Sequence, residues 1–399
     1  MVLMLDDLFP GLRSSLPDKR AARVDAIINR FFSKTLSSTN DGSPFVITGD
    51  IPAMWLRDST WQVRPFLKSP NREIGELLAQ LSKTQIKLFL IDPYANAFNP
   101  EPNGNCWEKD FPDQNPWVFE RKFELDSWAS ILFLVRKIEE TWEISSHKDE
   151  NFMKALETIA VLARKEQRHD PDSYIFFRDN GIAHDSLSHG GRGAPVGYTG
   201  LIWSAFRPSD DACVYGYHVP SNLFFANELR HLSDIPGMNK LANEIEEGIK
   251  KFAVSERGYA YEVDGLGNSL FIDDANVPSL LSLPYLEVCA PDDELYLNTR
   301  YRVTSEANPY FFAGAAATGI GSQHTPEEHI WPIAIAMQAL TSTSTTDLDR
   351  VLDLLEGNDA NTGMMHESFH KDDSTRFTRE WFSWADMTYL ELVLKTYKF

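Results

Sequence analysis

Apolar residues recur at helical spacing in one segment after another. Val24, Ile27, Ile28, Phe31 and Phe32 fall at i, i+3, i+4, i+7 and i+8, which places all five on one face of a helix. Ile74, Leu77, Leu78 and Leu81 repeat the pattern, as do Trp128, Ile131, Leu132, Val135 and Ile138, and then Phe152, Leu156, Ile159 and Leu162. Further helices are expected over 221–232, 238–252, 326–340, 347–355 and 381–395, with Pro326 suited to a first helical turn. The best strand signal is the alternation of Tyr259, Tyr261 and Val263 up to Asp264-Gly265, with 269–272 returning as a hairpin.

About a dozen helices with no regular alternation of strand and helix exclude a doubly wound sheet and a TIM barrel. The pattern predicts an all-α fold, one domain over residues 1–399, with helices paired around a ring and a minor β-hairpin. Long polar stretches rich in Gly and Pro run over 92–115, 178–199, 207–211 and 358–378. Loops of that length inside a domain usually carry function, so they are expected to meet at one rim.

Charge narrows the partners. The 399 residues carry 38 Lys and Arg against 58 Asp and Glu, a net charge of −20, which argues against a nucleic-acid partner. The 10 Trp, 13 Tyr and 25 Phe supply flat faces on which a sugar can stack, although core packing draws on the same residues. Cys106, Cys213 and Cys289 are odd in number and far apart, so neither a disulfide framework nor a thiolate zinc site is expected. Asp6, Asp7, Pro10 and Arg13 stand where a secretory signal would place a basic tip and an apolar run, which predicts a cytoplasmic protein. No apolar run approaches the roughly 20 residues of a membrane span, so no membrane association is expected.

Four segments concentrate candidate chemistry. In the first, Gly49 to Ser59 with Trp61, Arg57 and Asp58 stand beside Trp55 and Trp61. A guanidinium fork, a carboxylate and an indole face suit vicinal sugar hydroxyls, and equally suit a structural ion pair at a helix start. In the second, Phe206 to Ala212, Asp210 and Asp211 are adjacent, so one carboxyl is expected to keep its proton and serve as a general acid; helix capping is the competing role. The third, His366-Glu367-Ser368-Phe369-His370, matches the H-E-x-x-H pattern of zinc peptidases. That pattern needs a sustained helix, whereas Gly363 before it and the polar run 371–375 after it read as a loop. The fourth, Thr378 to Trp384, joins Glu380 to aromatic residues at a helix entry, where Glu380 is either a second catalytic candidate or a first-turn acid. Gly190-Gly191-Arg192-Gly193 lacks the ending of a phosphate cradle and reads as a loop.

Taken together, these segments resemble glycoside hydrolase family 125, the exo-acting α-1,6-mannosidases. The resemblance rests on Phe45 to Ser59, Glu124 to Ser127, Tyr198 to Gly200 running into Phe206 to Ala212, Gly319 to Ser322, and Met365 to Ser368, and it spans nearly the whole chain. It implies an (α/α)6 toroid, an inverting mechanism, no metal and no other cofactor, and an α-1,6-linked manno-oligosaccharide or glycan as substrate. It further implies that one aspartate of the Asp210-Asp211 pair is the general acid, taken here as Asp210, and that Glu367 is the general base, with Asp211 and Glu380 as alternatives. Trp55, Arg57, Asp58, Asp126 and His218 are the expected substrate-binding residues. The chain departs from the family pattern in carrying acidic Glu380 and Asp386. The remaining alternatives are a zinc metallopeptidase acting through His366 and His370, a sugar epimerase on a similar toroid, and a non-catalytic mannan-binding protein.

Overall fold

Two kinds of helix follow one another along the chain, and burial tells them apart. The computed structural model describes residues 4–344 and 346–399. Its longer helices are α1 (Asp18–Arg30), α2 (Leu56–Val63), α3 (Arg72–Ile91), α4 (Leu125–Trp142), α5 (Glu150–Glu166), α6 (Val219–Arg230), α7 (Met238–Phe252), α8 (Glu294–Val303), α9 (Pro332–Leu340), α10 (Leu348–Gly357) and α11 (Ser383–Thr396). In α1, α3, α5, α7 and α10 the buried residues form one stripe and the opposite face is polar. By contrast every residue of α2 is buried, as is every residue of α11 from Ser383 to Leu394. Much of α4, α6 and α9 is buried on all sides as well.

The fully buried helices pack on one another: α2 lies against α4 and α11, α4 against α6, and α9 against α11. The amphipathic helices cover them from outside, α3 on α4, α7 on α6, α10 on α9 and α11, and α1 on α11. Between α6 and α9 the inner position is taken by the turn-rich segment 279–286, which buries Leu280, Leu281, Leu283 and Leu286 and is held to α8 by Tyr296 Oη donating to the Leu281 carbonyl at 2.9 Å. One continuous apolar core runs from Leu5 to Leu394. Among the described residues, no helix is long and apolar enough to cross a membrane.

The amphipathic pattern located α7 to the residue and α1, α3 and α5 closely. Two expectations shift. The helix expected from 326 begins at Pro332, and His329–Ile330 before it is a strand. The hairpin closes on Glu262–Val263 with Ser269–Leu270, while Gly258–Tyr259 pairs with Val254–Ser255 instead. Among the described residues the strands are far more numerous than the sequence foretold and form six small antiparallel sheets. Strands of two to six residues are too short for alternation to stand out from chance.

Three of these small sheets sit where the chain enters the inner helices. Met54–Trp55, Tyr217–His218 and His329–Ile330 immediately precede α2, α6 and α9, and the hairpin of Ser368–His370 with Asp373–Thr378 precedes α11. The N-termini of the inner helices therefore emerge from one rim, where their positive dipole ends favour carboxylates.

Candidate active site

That rim surrounds a cavity of about 410 Å³. Part of its wall is built from N-caps and first turns: Trp55, Arg57 and Asp58 at the start of α2, Trp331 capping α9, and Phe382 and Trp384 at the start of α11. Arg57 and Asp58 form the ion pair in a first helical turn, and both also face the cavity. Trp61 points the other way, into the core against Phe133, Phe224 and Tyr285.

Arg57 organises the floor. Its Nε lies 3.2 Å from Asp58 Oδ1, its Nη1 3.4 Å from Asp126 Oδ2 and its Nη2 3.5 Å from Asp210 Oδ1, and Nη1 donates to Glu124 Oε2. Four carboxyls around one buried guanidinium cannot all be ionised. Burial pushes Glu124 well above the usual carboxylate range and Asp126 up to about 6, and it raises Asp58 as well, against the attraction of Arg57 in each case. Burial would raise Asp210 too, but a hydrogen bond shared with Glu124 and the charges of Arg57, Lys122 and His324 hold it below its ordinary value.

The loop carrying Asp210 is pinned from several sides. Phe206 bridges Ala212, the Arg207 amide donates to the Asp211 carbonyl at 2.8 Å, and the Asp210 amide donates to the Arg207 carbonyl at 2.9 Å. The buried Arg207 Nε donates to Glu262 Oε1 at 2.6 Å, and Glu262 Oε2 accepts the Val214 and Tyr215 amides at 2.8 and 2.9 Å. At φ 66°, Asp210 takes the left-handed conformation. Its side chain remains 21% exposed on the cavity wall, while its carbonyl accepts Lys122 Nζ at 2.7 Å.

The adjacent Asp211 faces a different environment. Its Oδ1 sits 3.5 Å from His324 Nδ1 and 3.8 Å from His184 Nε2, and Oδ2 accepts Ser209 Oγ at 2.9 Å. Two expectations are corrected here. Neither aspartate caps a helix, because α6 starts at Val219 and its cap is His218. Nor is Asp211 the neighbour that disturbs Asp210; that carboxyl is Glu124, and Asp210 is lowered rather than raised. Burial would lower His324, but its hydrogen bond to Asp211, the charge of Asp211, and then Glu367 and Asp210 push it up to about 9, a shift tempered by solvent at a side chain 37% exposed.

Glu367 lines the same cavity, 3.4 Å from Arg379 Nη1. Arg379 is itself fixed by Asp50 and by donation to the Thr48 carbonyl at 2.8 Å. The H-E-x-x-H reading fails on geometry: Ser368–His370 is a strand paired with His329–Ile330 and with Asp373–Thr378. His366 stacks on Phe377 at 3.9 Å with its Nδ1 2.7 Å from the Glu380 carbonyl, whereas His370 Nε2 lies 3.5 Å from Glu328. Among the described residues no group of three or more His, Cys, Asp or Glu side chains is arranged to hold a metal ion.

Several expected site residues lie off the wall. Asp126 is buried behind Arg57 and accepts Ser221 Oγ at 3.3 Å. His218 is buried beside Tyr261 with Nδ1 2.7 Å from Ser221 Oγ, and burial, with Arg207 nearby, drives its pKa well below the ordinary value. Glu380 is exposed and outside the cavity, and Asp386 is buried against Arg30 at 2.8 Å and Trp381 Nε1 at 3.1 Å. Neither acidic departure therefore reaches the wall that Glu367 lines. The sequence reading did not assign Lys122, His184, Asn276, His324, Trp331, Trp384 or Arg379 to the site, although all line it. Trp107 and Glu108, in the long 92–115 stretch expected to reach the rim, also line the wall.

Comparison with known proteins agrees with this geometry. The family described as "Metal-independent alpha-mannosidase (GH125)" matches residues 21–394. The Meiotically up-regulated gene 157 protein of Schizosaccharomyces pombe is 37% identical over 96% of this chain and 85% of its own. A Streptococcus pneumoniae structure, described among metal-independent alpha mannosidases as a non-productive complex with alpha-1,6-mannobiose, is 42% identical, covers both chains completely and superposes with a TM-score of 0.94. A bacterial glucoamylase complexed with acarbose, 12% identical with a TM-score of 0.57 over 98% of this chain and 58% of its own, shares the fold alone. This chain belongs to the metal-independent α-mannosidases of glycoside hydrolase family 125.

Proposed function

We propose that this glycoside hydrolase is an inverting exo-α-1,6-mannosidase that removes non-reducing terminal mannose from α-1,6-linked manno-oligosaccharides or glycans, with Asp210 as general acid and Glu367 as general base. The observation that carries the reading is that both carboxyls face one cavity whose wall is rich in aromatic rings and charged side chains. The α-1,6-mannobiose held by the Streptococcus pneumoniae relative supports the linkage. We further read the architecture as a single-domain (α/α)6 toroid, since five buried helices and the segment 279–286 supply six inner positions. Three free cysteines fit a reducing compartment, so the enzyme is read as cytoplasmic.

In an inverting displacement the acid protonates the departing oxygen while the base takes a proton from the water attacking the opposite face, with the two carboxyls roughly 6.5–9.5 Å apart. Trp55, Trp331 and Trp384 offer faces for the terminal sugar, and Arg57, Asp58 and Arg379 offer polar atoms for its hydroxyls. Asp210→Asn and Glu367→Gln should each lower kcat on α-1,6-mannobiose by at least about 10²-fold while leaving the melting temperature nearly unchanged. Near-normal turnover in either variant removes that residue from its role.

A further inference from the structure

Asp210 delivers a proton in the reaction just described, yet its surroundings in the free enzyme favour its ionised form. It faces the positive ends of Arg57, Lys122 and His324. Glu124, the N-cap residue of α4, stands next to it with a completely buried side chain. Two carboxyls held side by side at one buried guanidinium repel each other when both are ionised, so one of them keeps a proton. The same groups bracket both: Arg57 reaches each of them, and Asn96 Nδ2 lies 3.2 Å from Asp210 Oδ1 and 3.5 Å from Glu124 Oε1. Asp210 opens to the cavity, and Glu124 cannot touch a substrate.

We propose that Glu124 is a positioning residue that holds the proton Asp210 delivers, so that the general acid is a two-carboxyl unit sharing one proton. The inference rests on Asp210 being the acid. In the free enzyme the proton sits on buried Glu124, where Asp210 and Asp126 add negative charge and ionisation is disfavoured. During the displacement the Glu124 Oε–H bond breaks as Asp210 gains that proton, and Asp210 passes a proton to the glycosidic oxygen, which keeps the electron pair of the broken C–O bond. Water supplies hydroxide to the anomeric carbon and its second proton to Glu367. The turnover leaves the Glu124–Asp210 unit doubly ionised beside Arg57, Lys122 and His324, with Glu367 protonated, and solvent exchange restores the starting state. Asp211 and Glu120 are the other charged groups nearby; Asp211 is occupied by His324 and His184, and Glu120 by Arg178 at 3.0 Å.

The test compares two substrates that differ in their need for a proton. α-1,6-Mannobiose has a poor leaving group, whereas 2,4-dinitrophenyl α-mannopyranoside has one that departs without protonation. Glu124→Gln keeps shape and hydrogen bonding but removes the stored proton. It should lose about 10²–10⁴-fold in kcat/KM on mannobiose and less than about tenfold on the dinitrophenyl substrate. Its residual mannobiose activity should also fall off at lower pH than in the parent, because Asp210 alone beside Arg57 ionises more readily. Asp210→Asn is the control and should show the same split. Equal losses on both substrates for Glu124→Gln, with the split kept in Asp210→Asn, make Glu124 merely structural and overturn the inference. Absence of the split in Asp210→Asn removes the acid assignment and the inference with it. Should Glu124→Gln fail to fold, Glu124→Asp, one methylene short of Asp210, must show a smaller split of the same sign; no split there overturns the inference too.

Discussion

Replacing Arg57 by Met tests whether the floor of the cavity is an electrostatic assembly held by one cation. The guanidinium is 4% exposed and faces Asp58, Glu124, Asp126 and Asp210. Removing one partner of a buried ionic group costs about 3–5 kcal/mol, because the remaining charges are left uncompensated. With an unfolding entropy of about 2.1 cal/mol/K per residue, a chain of 399 residues should lose about 4–6 °C in melting temperature at pH 7.5. The loss should shrink as pH falls. A carboxyl whose folded pKa lies above its unfolded value contributes stability that is complete below the unfolded pKa and lost as pH rises through the folded one. Asp126 is pushed up to about 6 and Glu124 and Asp58 are raised even with Arg57 present; without it they rise further and are largely protonated at pH 5. Differential scanning calorimetry at pH 5.0 and 7.5 should therefore give a difference between Arg57→Met and the parent at pH 5.0 roughly half that at pH 7.5 or less. An equal or larger loss at pH 5.0 refutes the assembly.

Asp211→Asn removes the group that raises His324 to about 9, so the stability lost should be largest below about pH 6.5, should fade as pH rises through 9, and should be absent in urea midpoints at pH 9.5. An equal deficit at pH 6 and 9.5 contradicts the pairing. Gly321→Ala puts a Cβ 2.1 Å from the His329 carbonyl and 2.8 Å from the Phe312 ring, and should lower stability by about 1–3 kcal/mol; an unchanged urea midpoint means that the two segments part easily. His370→Ala should keep mannobiose turnover within about twofold of the parent, since the ring pairs with Glu328 off the cavity; a collapse of turnover that zinc restores would revive the metal reading.

The outer helices were legible because a half-buried helix writes its period into the sequence, as Leu241, Ile245 and Ile249 do in α7. Most of their inner partners are buried all round and lose that period, although α4 keeps it in Trp128, Ile131, Leu132, Val135 and Ile138. In α2 the polar Arg57, Asp58, Gln62 and Thr60 are buried beside Leu56 and Val63, and only the concentration of unusual residues drew attention to the segment. Helix α8 carries no clear apolar stripe and went unpredicted. The site was legible where chemistry is contiguous in the chain, as in 55–58, 210–211 and 367. It was illegible where separate elements contribute one residue each: His324 from the turn before α9, Lys122 from the approach to α4, Arg379 from the hairpin before α11. Asp126 and His218 are close to the site in sequence and buried polar, but a residue's position along a helix start does not reveal whether it faces the cavity or the layer behind.

The central claim is an inverting displacement by Asp210 and Glu367 on an α-1,6-linked mannoside. The measurement that meets it most directly is a proton NMR time course on α-1,6-mannobiose, read in the first minutes before mutarotation mixes the anomers. The account predicts that mannose released from the non-reducing end appears first as the β-anomer, at the same rate with and without chelator. Mannose appearing first as the α-anomer, or an intact bond after prolonged incubation with active parent enzyme, contradicts it.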